Sequence, residues 1–250
     1  MDKKSDRLEG KVALISGGAR GMGASHARAI LAHGGKVVIG DILDEEGNKL
    51  ANELGNDAVY VHLDVTSTQN WKDAVATAEN TFGKLNVLIN NAGILKTGAI
   101  EEFSDEDWDQ IIAINLTGAF KGMRASIPLL KKSAPSSIIN ISSTAGIKGF
   151  PGVVGYNTSK FGVRGMTKTA AIELGTSGVR VNSVHPGNVN TKMIEGLYDA
   201  FPHVPMQRAG EPSEITNLIV YLASDESSFS TGAEFVADGG ETAGTPNVFA

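Results

Sequence analysis

Short runs rich in Val, Ile and Leu recur along the chain, each followed by a longer stretch of helical periodicity, and this alternation restricts the fold more than any other feature. Parallel strands need a crossover connection, which is usually a helix, so the pattern builds a parallel sheet covered on both faces. The strand-like runs fall at 11–16, 36–41, 59–64, 87–90, 137–141, 179–185 and 234–238. Helical stretches fall at 23–33, 44–54, 67–82, 107–132 (two helices or one bent), 156–175 and 213–222. Gly34-Gly35 supplies a C-cap after the first helix, and Pro212 stands where a first helical turn tolerates proline. The expectation is an α/β fold with a doubly wound, seven-stranded parallel sheet.

Nothing in the 250 residues reads as a linker or repeat, so residues 1–250 are expected to form one domain. The segment 188–212 lacks periodicity and carries Pro202, Pro205 and Pro212, yet contains Met193, Leu197, Tyr198 and Phe201. Long aperiodic loops in compact domains are usually functional, and this one is read as a substrate lid.

Charge and composition exclude several functions. The net charge is -6 with no block of Lys or Arg, which argues against nucleic acid as a partner. There are no cysteines, which removes disulfides, zinc-thiolate sites and thiol catalysis, and the five histidines are too scattered to suggest a metal site. Residues 1–10 are polar where a signal peptide would be apolar, and no apolar run reaches the ~18 residues of a membrane span. No membrane association and a cytoplasmic location are the expectations.

The first strand runs into Ser16-Gly17-Gly18-Ala19-Arg20-Gly21-Met22-Gly23 and then a helix. In that context Gly17, Gly21 and Gly23 permit a tight turn, close approach of backbone to a pyrophosphate and close helix packing, as in Rossmann-type dinucleotide sites. The helix N-terminus, with Met22 in its first turn, presents free N–H groups to the phosphates. Alone, the glycines are equally compatible with a structural turn. Asp41 ends the second strand about 20 residues on, where a carboxylate accepts from both hydroxyls of an adenosine ribose. It would repel a 2′-phosphate, favouring NAD over NADP; Arg20 could offset that repulsion or be a solvated loop charge. Asp64 could accept from the adenine amino group, with the Val65 amide donating, or could cap the next helix. Asn91, Ala92 and Gly93, after Asn90, are small enough for a cofactor to lie against the backbone, or form a plain turn.

Tyr156 and Lys160 are four residues apart on an expected helix and share one face. A phenol is a poor base near neutral pH, and an ammonium beside it favours the phenolate. A Tyr-x-x-x-Lys spacing alone occurs often by chance and better fits a plain surface pair, but here it follows a strand ending Ile141-Ser142-Ser143.

Over essentially its whole length the chain resembles the short-chain dehydrogenase/reductase family, and within it the bacterial 3α/20β-hydroxysteroid and cyclic-alcohol dehydrogenases. The resemblance implies a catalytic set of Asn115, Ser143, Tyr156 and Lys160. Tyr156 would be the general acid/base and Ser143 would steady the substrate oxygen. Lys160 would lower the Tyr156 pKa and bind the nicotinamide ribose, and Asn115 would hold a water linking Lys160 to solvent. It also implies that Pro186, Gly187, the Val189 backbone and the Thr191 hydroxyl hold the nicotinamide carboxamide. Ser16 departs from the family's usual Thr but keeps the hydroxyl. His185 is read as structural. The implied activity is hydride transfer between NAD(H) and a secondary alcohol or ketone, in a homotetramer joined through the helices at 107–132 and 156–175 and the C-terminal region. Apolar Phe150, Val153, Met193, Leu197 and Tyr198 suggest an alicyclic or steroid-like substrate. A catalytically silent NAD(H)-binding regulator and a reductase of another carbonyl, such as a 3-oxoacyl thioester, are the alternatives. An extended-branch epimerase or dehydratase would need a larger C-terminal substrate region.

Overall fold

In the computed structural model, residues 6–196 and 200–244 are described; Leu197 and Tyr198 therefore lie outside the described residues. Seven strands form one all-parallel sheet: β1 (Val12–Ser16), β2 (Lys36–Asp41), β3 (Ala58–His62), β4 (Val87–Asn90), β5 (Ser136–Ile141), β6 (Val179–Pro186) and β7 (Glu234–Ala237). Their spatial order is β3-β2-β1-β4-β5-β6-β7, so the winding reverses between β1 and β4. The crevice at such a reversal, beyond the carboxyl ends of the strands, is where open α/β sheets bind ligands.

The helices are α1 (Gly21–Ala32), α2 (Asp44–Leu54), α3 (Thr68–Phe82), α4 (Asp105–Ile111), α5 (Gly118–Lys132), α6 (Val154–Leu174) and α7 (Pro212–Ala223). Alternation along β1 shows how the two faces are covered. Ala13 and Ile15 pack with Ala27 and Ile30 of α1 and with Ile215 and Ile219 of α7. Val12 and Leu14 pack on the other face with Trp71 of α3, Leu130 of α5 and Leu174 of α6. Each fully buried Val, Leu or Ile among them contributes about 1.5–3 kcal/mol.

Local chemistry sets the boundaries. Gly34, at φ +85°, ends α1: its N–H donates to the Leu31 carbonyl, and that of Gly35 to Ile30, closing the helix as the two glycines predict. Pro212 begins α7, where Glu211 and Glu214 cap each other's backbone N–H groups. The region 107–132, expected to be two helices or one bent, holds two α-helices, α4 and α5, that follow each other without a break. A π-helical stretch, Ile112–Thr117, joins α4 to α5 and carries Asn115. The strand expected at 59–64 ends at His62, because Asp64 turns the chain with its Oδ1, which accepts from the Thr66 N–H and hydroxyl at 2.8 Å each. Ser67 is the residue that caps α3, through the Asn70 N–H, so the helix-cap alternative for Asp64 fails. The segment 188–212 is clasped at its base by a Val189–Gly210 bridge, with N–H···O bonds of 2.9 Å in both directions between its neighbours.

Candidate active site

A cleft of about 890 Å³ opens at the β1/β4 reversal. Gly17, Arg20, Gly21, Met22, Asp41, Asp64, Val65, Asn91, Ala92, Gly93 and Thr191 line it, all of them anticipated from sequence. The glycine-rich loop is tied down by hydrogen bonds from the fourth strand. Ser16 Oγ accepts from the Asn91 and Ala92 N–H groups at 3.1 and 3.2 Å, and Asn91 Nδ2 donates to the Ser16 and Gly17 carbonyls at 3.0 and 2.9 Å. The serine hydroxyl therefore does the bracing that its position requires. A Cβ on Gly17, which sits at φ +64°, would stand 2.9 Å from Ala92 Cα. Gly23 does not line the cleft; it lies beneath the loop, where a Cβ would come within 2.0 Å of the Gly17 carbonyl oxygen.

A nicotinamide dinucleotide fits this cleft. Arg20, the N-cap of α1, makes no side-chain cap bond, and the first turn holds no acid, so the positive helix end faces the cleft uncompensated. Asn91 Oδ1 is a buried acceptor with no partner among the described residues. Asp41 is 7 % exposed and held at the far side of the loop: Oδ2 accepts from the Ala19 N–H at 2.9 Å and Oδ1 from the Leu43 N–H at 3.2 Å. Its backbone carbonyl accepts from the Tyr60 hydroxyl at 2.7 Å.

Beyond Gly93 lies the polar cluster expected to be reactive. A Cβ on Gly93 would sit 3.5 Å from Lys160 Nζ and 3.4 Å from Asn115 Oδ1, so the cleft ends against both. Lys160 is 4 % exposed, donates to the Ile141 carbonyl at 2.9 Å, and lies 5.4 Å from the centre of the Tyr156 ring. Tyr156 is hydrogen-bonded to Ser143, whose Oγ also accepts from the Ala145 N–H at 3.1 Å. Burial pushes the Tyr156 phenol above its ordinary pKa, and the Ser143 hydrogen bond opposes the rise. Burial also lowers Lys160 to about 8. Burial thus disfavours the charged form of both groups, raising the Tyr156 phenol and lowering the Lys160 ammonium.

Asn115 is buried at the same end of the cleft. Its side chain pairs with both backbone groups of Ile94, Oδ1 accepting at 2.8 Å and Nδ2 donating at 2.9 Å, and Nδ2 also reaches Ser159 Oγ at 3.2 Å. Its side chain is a brace between the π-helical stretch and the loop after β4, and both amide donors contact protein. π-Helical turns often occur at functional sites, and this one directs Asn115 inward. His185 is structural, as expected, yet closer to the chemistry than its sequence position suggests. It is fully buried, with Nδ1 3.0 Å from the Ser143 carbonyl oxygen and Nε2 2.9 Å from Ser183 Oγ.

Pro186, Gly187 and Val189 do not line the cleft; they form the end of β6 and the base of the 188–212 segment, where Pro186 and Val189 are buried. Thr191 Oγ1 donates to the Val189 carbonyl at 3.2 Å. Of the substrate-pocket residues, Met193 lines the cleft. Phe150 and Val153 do not; Phe150 lies under Lys148 Nζ at 4.8 Å, and Val153 bridges to Gly98. Sequence reasoning missed Ile42, Leu43, Leu63, Ile94, Leu95, Lys96, Thr97, Asp107, Ile114 and Lys192. Loop apolars such as Ile94 and Leu95 carry no pattern of their own; only their position after Gly93 hinted at them. Among the described residues no cluster of His, Asp or Glu could hold a metal ion.

The family model described as enoyl-(acyl carrier protein) reductase matches residues 17–242. The chain belongs to the short-chain dehydrogenase/reductase family. Among its relatives, a 3-alpha-(or 20-beta)-hydroxysteroid dehydrogenase of Mycobacterium tuberculosis is 57% identical over 96% of this chain and 92% of its own length. A trans-4-hydroxycyclohexanecarboxylate dehydrogenase of Sinomonas cyclohexanicum is 52% identical over 98% and 97% of the two chains. A cyclopentanol dehydrogenase of Comamonas testosteroni is 39% identical over 95% and 99%. Membership in this family fits the fold, the glycine-rich loop and the Ser143–Tyr156–Lys160 group together.

Proposed function

We propose that this protein is an NAD-dependent dehydrogenase of alicyclic or steroid-like secondary alcohols, with Tyr156 as the acid/base. The chain is an alcohol dehydrogenase/ketone reductase using a nicotinamide nucleotide, and the cyclic substrate class is supported by the activities after which its relatives are named. The observation that carries the catalytic assignment is the hydrogen-bonded Ser143–Tyr156 pair beside buried Lys160 where the cleft ends.

When bound, the nicotinamide ring accepts or returns the hydride at the carbinol carbon. Tyr156 takes the hydroxyl proton during oxidation and gives it back during reduction. Ser143 donates to the substrate oxygen and stabilises the charge developing there. Lys160, held by the Ile141 carbonyl, would bind the nicotinamide ribose and favour the phenolate once the site closes. Asn115 positions the loop that carries Ile94. Gly187, Val189 and Thr191 would face the carboxamide from the base of the lid, which covers the substrate.

NAD rather than NADP is favoured by Asp41, whose carboxylate is fixed by two backbone N–H groups in a buried position. A 2′-phosphate there would meet about 1–4 kcal/mol of repulsion, and Arg20 is an exposed side chain that makes no cap hydrogen bond to hold it at that spot. A homotetramer is supported by apolar Phe120 on α5 and Phe161 and Ile172 on α6, all exposed in the single chain. No described helix is long and apolar enough to cross a membrane, and a cytoplasmic location is part of the proposal.

The test is NAD or NADP reduction followed by absorbance over cyclic, steroid and linear secondary alcohols, with 3-oxoacyl thioester reduction as a separate arm. Turnover of a cyclic alcohol with NAD, lost in Tyr156→Phe, supports the reading. Cofactor binding without turnover in any arm would favour the regulator, and activity confined to the thioester would replace the substrate class.

A further inference from the structure

Among the described residues, Glu241 is a carboxylate driven almost completely out of solvent near Ser143, and the proposed chemistry has no use for it: its side chain is 1 % exposed. It belongs to a turn built by Asp238, whose Oδ1 accepts from the Gly240 N–H and whose Oδ2 accepts from the Thr242 N–H, each at 2.8 Å. The Glu241 carboxylate points to the segment that follows Ser143. Thr144 Oγ1 donates to Oε2 at 3.4 Å, and Lys148 Nζ lies 3.2 Å from Oε1 and reaches the Glu241 carbonyl at 3.4 Å.

The same turn also carries the lid. Met206 N–H donates to the Gly239 carbonyl at 3.1 Å. Val204, 2 % exposed, packs so closely that a Cβ on Gly239 would stand 2.8 Å from its Cγ1, and a Cβ on Gly240 would stand 3.0 Å from Pro205 Cγ. One short turn is therefore in contact with the Ser143 segment on one side and with the returning arm of the lid on the other.

We propose that Glu241 is a positioning residue: its carboxylate fastens the C-terminal turn to the 144–148 segment and so couples the placement of the Ser143 hydroxyl to the docking of the lid. This rests on the reading of Ser143 as the donor to the substrate oxygen. A charge buried in a polar contact with one cation is costly to leave half-satisfied, so removing the carboxylate frees both partners together.

The test compares wild type, Glu241→Ala and the near-isosteric Glu241→Gln by amide hydrogen exchange and by kinetics. In Glu241→Ala the peptides covering 144–148 and 204–206 should exchange about tenfold faster or more, while the β1–β2 core stays as in wild type. Glu241→Gln keeps an acceptor for Thr144 and should restore much of the protection. With an alcohol that wild type oxidises, kcat in Glu241→Ala should fall about 100-fold, the scale of an ångström-sized misplacement, with NAD affinity changed less than twofold. Unchanged exchange in both peptides, or faster exchange in only one of them, overturns the coupling whether or not any alcohol is turned over. Faster exchange in both with kcat unchanged overturns the positioning role. A wild type inactive on every alcohol instead overturns the functional reading, and the exchange result still decides the coupling.

Discussion

Replacing Lys160 by Met should leave the fold as stable as wild type or more so at pH 7, while abolishing turnover. Lys160 is 4 % exposed, and burial lowers its pKa from 10.5 to about 8. That displacement corresponds to about 3 kcal/mol favouring the neutral over the charged amine in the folded state. Methionine removes the buried charge but leaves the Ile141 carbonyl, now accepting at 2.9 Å, without its donor, which costs about 1–3 kcal/mol. The net gain at pH 7 is therefore between about zero and 2 kcal/mol. Its pH dependence is the sharper quantity. The folded pKa lies below the unfolded one, so the penalty is fully present below about pH 8 and is relieved as pH rises toward 10.5. Wild type should accordingly gain about 3 kcal/mol on Lys160→Met over that interval. Urea unfolding of both proteins across about pH 7 to 10.5, in a Tyr156→Phe background that removes the neighbouring phenol, measures the difference directly. A stability difference that does not change with pH would refute the desolvation argument.

Other consequences follow from the same geometry. Tyr156→Phe should lower kcat for oxidation by about 10²–10⁴-fold with little change in NAD affinity, read by steady-state kinetics and binding titration. Because burial raises the Tyr156 pKa, oxidation, which needs the phenolate, should speed up as pH rises through the alkaline range, while reduction, which needs the phenol, should hold steady near neutrality; pH–rate profiles in both directions check this. Asp41→Asn should shift the NAD/NADP ratio of kcat/KM toward NADP by about 5- to 900-fold, since it removes repulsion of about 1–4 kcal/mol. His26, buried between α1 and α7 with Nδ1 2.7 Å from Thr216 Oγ1, is lowered to about 3 by burial. The unfolded chain therefore binds a proton that the fold refuses, and stability should be lost as pH falls from 6.5 toward 3, by up to about 5 kcal/mol. His26→Asn should flatten that acid limb in urea titrations.

The sheet and its helices were legible because their signals are local. Each strand in the expected set exists, with ends that differ by at most two residues; the largest difference, at the end of β3, is where Asp64 turns the chain. The glycine-rich loop and Asp41 were legible because backbone demands at a phosphate site translate directly into residue types. The π-helical join was not, since it depends on Asn115 reaching Ile94, 21 residues earlier, and periodicity carries no record of that contact. Nor was the Tyr156–Lys160 balance: spacing shows that the groups meet, but only burial shows that both are pushed toward neutral forms. The substrate wall was the least legible part. Met193 reaches the cleft from a segment anchored at Gly210 and Gly239, whereas Phe150 lies against Lys148, contacts that a local pattern does not record.

The most direct measurement is the fate of the carbinol hydrogen. A cyclic secondary alcohol deuterated at the carbinol carbon is incubated with NAD, and the reduced cofactor is weighed by mass spectrometry, for wild type and Tyr156→Phe. The account predicts that one deuterium passes from substrate to the nicotinamide in wild type, that none enters from heavy water when the substrate is unlabelled, and that transfer collapses in the variant. Solvent deuterium in the reduced cofactor, or transfer undiminished in Tyr156→Phe, would contradict direct hydride transfer assisted by Tyr156.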